Sequence, residues 1–168
     1  MRHVCVPHVR KDVMAGPVDL DVLPDPPVRL FTRDKADALV PVLEAILLRM
    51  DPTLTRIREL RDLMEDQEAY WGSAVQEPIN PDRDTYGQLL ADLTSARASL
   101  EEDTDAIRDL GGQLKDADQG LVDFYARIDG QLAYLCWRRG EPRVAHWHTL
   151  EAGFAGRRAL SDGPGAEP

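Results

Sequence analysis

The chain is short of sulfur, of long apolar runs and of positive charge, and each shortage removes a class of protein. Its 168 residues hold two cysteines, Cys5 and Cys136, far apart in sequence. A disulfide-stapled secreted fold needs more of them at paired spacings, so a reducing compartment is expected, and the cytoplasm is the simplest one. No stretch approaches the ~18 apolar residues that span a bilayer, so no membrane partner is expected. The first residues lack an uninterrupted apolar segment ahead of a small-residue cleavage site, so no secretory leader is expected either. Lys and Arg number 20 against 30 Asp and Glu, a formal net charge of −10. A general nucleic-acid partner wants the opposite sign. No phosphate loop, no nucleophile–histidine–acid order and no paired zinc-type cysteines occur.

What charge there is falls unevenly. Residues 82–118 carry ten acids against Arg83, Arg97, Arg108 and Lys115. Residues 121–160 carry only Asp123, Asp129, Glu141 and Glu151 against Arg127, Arg138, Arg139, Arg143, Arg157 and Arg158. The C-terminal part is therefore locally positive inside an acidic chain, which suits a small anionic ligand.

Residues 1–28 read as an irregular arm, because Pro7, Pro17, Pro24, Pro26 and Pro27 interrupt it and no periodicity is sustained. His3, Cys5 and His8 have a spacing that suits a soft metal, although incidental residues on a loose arm are the plainer reading. Helix begins at Thr32, a good N-cap. Leu39, Val42, Leu43, Ile46, Leu47 and Met50 then form one apolar stripe, with Pro41 expected to kink it and Asp51-Pro52 to restart it. Leu54, Ile57, Leu60, Leu63 and Met64 carry the face on to Gly72. After a loop over 73–81, a second helix is expected from about Asp82 to Leu110. Tyr86, Leu93, Leu100 and Ile107 recur every seven residues, joined by Leu89, Ala96 and Leu110, with Asp103 the single polar residue of the seam. The first helix fills such a seam most economically. Homodimerisation through it is the other outcome.

Past Gly111-Gly112 the period changes to two. Val122, Phe124, Ala126 and Ile128 alternate with Asp123, Tyr125 and Arg127, and Asp129-Gly130 marks a two-residue hairpin turn. Pairing across it opposes Ile128 with Gln131, Ala126 with Ala133, Phe124 with Leu135 and Val122 with Trp137, a face that must lie on the helices. The other face carries Tyr125, Arg127, Tyr134, Cys136 and Arg138. A second turn at 139–142 returns the chain as a third strand. If that turn has even length, Trp147 joins Tyr134 on the decorated face while His146 and His148 point to the core; a single bulge reverses this. The expected fold is α+β: two long antiparallel helices over about 32–110, the first kinked, with a three-stranded antiparallel β-module over about 120–150. One domain over 29–160 is expected, between the arm and a polar tail at 161–168.

The helix opening Leu30-Phe31-Thr32, the strings Leu114-Lys115-Asp116, Gly120-Leu121-Val122-Asp123-Phe124, Leu135-Cys136-Trp137-Arg138, Gly140-Glu141-Pro142 and Trp147-His148, and Glu151-Ala152-Gly153-Phe154-Ala155-Gly156-Arg157 together resemble the DUF2203 family. These are small bacterial proteins of unknown function, so the resemblance, over about 29–160, implies membership and no activity. In that family a proline follows Val-Asp-Phe and an aromatic residue precedes Trp-His; here those places hold Tyr125 and His146. A site on His146 is therefore this chain's own, whereas one on His148 is open to the family.

Two candidate sites follow. Tyr125, Arg127, Tyr134, Arg138 and, with an even turn, Trp147 combine aromatic platforms with guanidinium forks, the mixture that holds an anionic or aromatic small molecule. The plain alternative is a solvated strand face. Asp123 beside Cys136 either orients such a ligand or raises the thiol's pKa and keeps it inert. The second candidate is a divalent transition metal at His146 and His148, with Glu151 three residues on and Asp123 or Glu141 completing the shell. Its alternative is a histidine pair bonded to carboxylates. Gly153 to Arg158 reads as a tight turn with two surface arginines, or as backbone amides offered to an anion. The leading expectation is a small-molecule-binding protein, ahead of a metal-dependent enzyme and of a helical interaction module.

Overall fold

A computed structural model describes residues 29–160. The expectations for the arm 1–28, including His3, Cys5 and His8, and for the tail 161–168 lie outside the described residues.

Thr32 caps a single short helix, α1 (Arg33–Asp37), by accepting the Lys35 amide on its hydroxyl. The chain then breaks, because Pro41 lacks the amide hydrogen that would continue the ladder. It serves instead in the first turn of α2 (Val40–Trp71), where no such hydrogen is needed. The expected restart at Asp51-Pro52 does not occur. Pro52 sits inside α2, and the helix runs through it to Gly72, whose φ of 57° ends it. A short 3₁₀ turn (Gly72–Gln76) leads to α3 (Arg83–Asp109), which returns antiparallel along α2.

Five strands follow, all antiparallel and in sequence order: β1 (Gln113–Asp116), β2 (Leu121–Ile128), β3 (Gln131–Arg138), β4 (His146–Thr149) and β5 (Arg158–Ala159). The sheet therefore has two more strands than expected, one at each edge. The β2–β3 hairpin has the register that alternation sets, Val122 opposite Trp137 through Ile128 opposite Gln131. Asp129 and Gly130 both take positive φ (50° and 77°), as a type I′ turn requires.

The apolar face of this sheet packs on the near halves of the helices. Leu43, Ile46, Leu47 and Met50 from α2 and Ile107 from α3 form one cluster with Val122, Phe124, Leu135 and Trp137. Farther out, Leu60, Val75, Tyr86 and Leu93 are buried between the helices. The α3 seam thus closes on α2, with Leu100 half-buried rather than fully enclosed. No helix among the described residues is long and apolar enough to cross a membrane.

Candidate functional site

The functional question turns on the β3–β4 connection. Seven residues, 139–145, separate the strands, an odd number. Cys136 pairs with His146, Leu135 with Trp147 and Tyr134 with His148. The even-turn arrangement is therefore reversed: both histidines stand on the decorated outer face, and Trp147 faces the helices beside Leu135, with Arg158 over its ring at 5.4 Å. The loop is fixed in this shape by tertiary bonds. The Val144 amide donates to Asp37 Oδ1 at 2.6 Å, Trp137 Nε1 donates to the Glu141 carbonyl at 2.9 Å, and Arg139 makes a two-pronged bond to Asp51.

On the outer face one row runs Gln113, Asp123, Cys136, His146 and Ala159, and the next runs Tyr125, Tyr134 and His148. Cys136 is small enough for the His148 ring to reach over β3 to Asp123, where Nε2 lies 3.1 Å from Oδ2. The donor atoms of Asp123, Cys136 and His148 all lie within 4.8 Å of one another, and all three residues are buried. Burial pushes the Cys136 thiol up to about 12, and a hydrogen bond to the Asp123 carboxylate adds to the shift.

Around this centre sit two further groups. On one side the Tyr125 and Tyr134 rings stack at 4.6 Å, and Tyr134 lies 5.4 Å from the His148 ring. Tyr134 donates to Gln113 Oε1 at 3.2 Å, and Lys115 stands over its ring at 4.6 Å. Burial, with the bond to Tyr125, raises the Tyr134 phenol, whereas the bonds to Tyr134 and Gln113 lower that of Tyr125. On the other side Arg157 donates to both oxygens of Glu141, at 2.8 and 2.7 Å, and to the Cys136 carbonyl at 3.3 Å. His146 Nδ1 is 3.6 Å from Glu141 Oε1, too far for a hydrogen bond. Among the described residues, three buried polar atoms on this face have no hydrogen-bond partner: Asp123 Oδ1, His146 Nδ1 and Arg157 Nε.

The structure therefore divides the sequence candidates. Tyr125 and Tyr134 come together, but Arg127 turns to the Gly130 carbonyl at the hairpin end and Arg138 is exposed. His148 joins Asp123, whereas His146 faces Glu141 and Glu151 is exposed on the surface, outside the cluster. Cys136 as a partner of His148, and Arg157, were not foreseen. The β3–β4 register sets Cys136 near His148, and the turn ahead of β5 brings Arg157 back onto Glu141 and the Cys136 carbonyl.

This cluster is not a thiol–imidazole–carboxylate relay. Such a relay needs the imidazole between thiol and acid, and a thiol pKa brought down. Here the carboxylate touches both partners and the thiol pKa is raised.

The family model described as an uncharacterized conserved protein (DUF2203) matches residues 29–160, and the chain belongs to that family. No curated protein and no solved structure matches it.

Proposed function

We propose that the protein binds a small ligand on the outer face of its sheet, in the region bounded by the Tyr125–Tyr134 stack and the Glu141–Arg157 pair. The observation that carries this reading is the orphaned set of Asp123 Oδ1, His146 Nδ1 and Arg157 Nε. A buried polar atom without a partner costs about 1–3 kcal/mol, and a cluster of them on one face is what a bound polar molecule relieves. Positive charge stands at the face in Lys115, over the Tyr134 ring, and in Arg157, which pairs with Glu141. The Tyr pair supplies a platform for an aromatic ring.

The test is a nuclear magnetic resonance titration of the full chain with benzoate and, separately, inorganic phosphate. Saturable shifts confined to Tyr125, Tyr134, His146 and Arg157, lost in Tyr134→Ala, are the expected result. No saturable shift with either probe overturns the anion-binding reading.

A further inference from the structure

The geometry points to a transition-metal site of the zinc class at the heart of this face, held by Asp123, Cys136 Sγ and His148 Nε2. It deepens the ligand-binding reading by placing a cation beneath the region where an organic ligand sits, and it rests on the same buried cluster.

The argument begins with a proton. His148 Nδ1 lies 2.8 Å from the Thr149 carbonyl, and a carbonyl can only accept, so Nδ1 carries the hydrogen. Nε2 is then either a lone pair or a second N–H. It stands 3.1 Å from Asp123 Oδ2, and two lone pairs at that distance repel. Something positive belongs between them, a proton carried by either partner or a metal ion. Metal-bound histidines commonly donate their other ring N–H to a backbone carbonyl, which fixes tautomer and ring plane, as Thr149 does here.

The shape of the cluster favours the metal over the proton. A proton between Nε2 and Oδ2 joins only two of the three buried groups, whereas a divalent cation engages nitrogen, sulfur and carboxylate at once, and their ligand atoms already lie within 4.8 Å of one another. One nitrogen, one sulfur and one carboxylate oxygen form a donor set that suits zinc and its neighbours rather than calcium or magnesium. Tetrahedral zinc with bonds of about 2.0–2.3 Å sets its donors roughly 3.3–3.6 Å apart. The three donor atoms all lie within 4.8 Å of one another, with Nε2 and Oδ2 at 3.1 Å, close to that spacing. The set keeps His148 and Asp123 from the shell that the sequence suggested and replaces His146 and Glu151 with Cys136.

Binding balances simply. Cys136 Sγ loses its proton to solvent, a sulfur–metal bond forms, and no electron moves. Affinity therefore rises with pH.

The experiment is titration of chelator-stripped full-length protein with cobalt(II) alone, read by the absorbance of the thiolate-to-cobalt charge transfer, together with elemental analysis of protein purified without chelator. One equivalent of cobalt with a charge-transfer band is expected. Cys136→Ser should abolish the band, His148→Gln should weaken affinity by at least tenfold, and Glu151→Ala should leave both unchanged. Because Cys136 is fully buried, Asp123→Asn serves as a nearly isosteric second variant, and circular dichroism checks that each variant folds. No uptake at one equivalent, or a band that survives Cys136→Ser in a Cys5→Ser background, overturns the site. So does a His148 that nitrogen resonances show doubly protonated in protein exposed to cobalt or zinc. Failure here with benzoate or phosphate still shifting Tyr134 removes the metal and keeps the organic ligand. Cobalt uptake without either probe binding keeps the metal and removes the anion.

Discussion

Arg49 of α2 donates to Asp103 of α3 at 2.8 Å, so the single polar residue of the heptad seam is met by the helix it packs against. Asp103 is almost fully enclosed while Arg49 is mostly exposed, so the pair sits at the margin of the apolar cluster. Such pairs seldom stabilise more than an apolar replacement of similar volume, because desolvating the carboxylate offsets the attraction. Asp103→Leu is therefore expected to hold or raise the thermal midpoint, and Asp103→Ala to lower it. A midpoint lowered equally by both substitutions would show that the pair itself carries the helix packing.

The same seam grades its apolar residues. Ile107 is wholly buried in the main cluster, so Ile107→Ala should cost about 2–5 kcal/mol in chemical denaturation. Leu100 is half-buried and leaves a cavity open to solvent when shortened, so Leu100→Ala should cost about 1–2 kcal/mol. Equal losses at the two positions would contradict the burial gradient.

The hairpin and the helices were legible in the sequence for local reasons. Asp129-Gly130 dictates its own turn, and eight alternating residues on each side leave one register that buries Phe124, Leu135 and Trp137 together. The edge strands were not legible. Gln113–Asp116 holds one apolar residue and Arg158–Ala159 is two residues long, so neither displays a period, and each exists because a neighbouring strand offers it a ladder. The candidate site failed in the same way. Asp123, Cys136 and His148 are scattered along the sequence, and whether His148 meets Asp123 or the core depends on one residue of loop length. The loop is held in that register by bonds that Val144 donates to Asp37 and Arg139 to Asp51, which no local pattern reports.

Glu141 gives the fold an acid sensitivity with a defined sign. Burial raises its pKa, but the Arg157 guanidinium and the Arg138 amide outweigh burial, and the net shift is downward from an ordinary 4.5. A folded pKa below the unfolded one means that the stabilisation is complete above about 4.5 and is lost as pH falls through the lower, folded value. Glu141→Gln should accordingly lower stability at pH 7 and flatten the loss of stability below pH 4.5. Parallel acid limbs for parent and variant, measured by urea denaturation at several pH values, would show that Glu141 titrates as an ordinary carboxyl.

The last prediction concerns Cys136 in the metal-free protein, and it separates an inert thiol from an activated one. Alkylating reagents attack the thiolate, so reactivity follows both access and thiolate fraction. Cys136 is fully buried, and its pKa stands at about 12 against an ordinary 9.0. At pH 8 that difference alone lowers the thiolate population roughly a thousandfold. In a Cys5→Ser background, iodoacetamide should therefore leave the folded protein almost unmodified over hours and label it rapidly in strong urea. Asp123→Asn removes the neighbouring negative charge while keeping the burial, so labelling should speed up without loss of fold, by a factor that reports the carboxylate's share of the shift. Labelling of the folded parent at the rate of a free thiol would mean that Cys136 reaches solvent and ionises easily. The buried Asp123–Cys136–His148 cluster would then have to be redrawn as an open one.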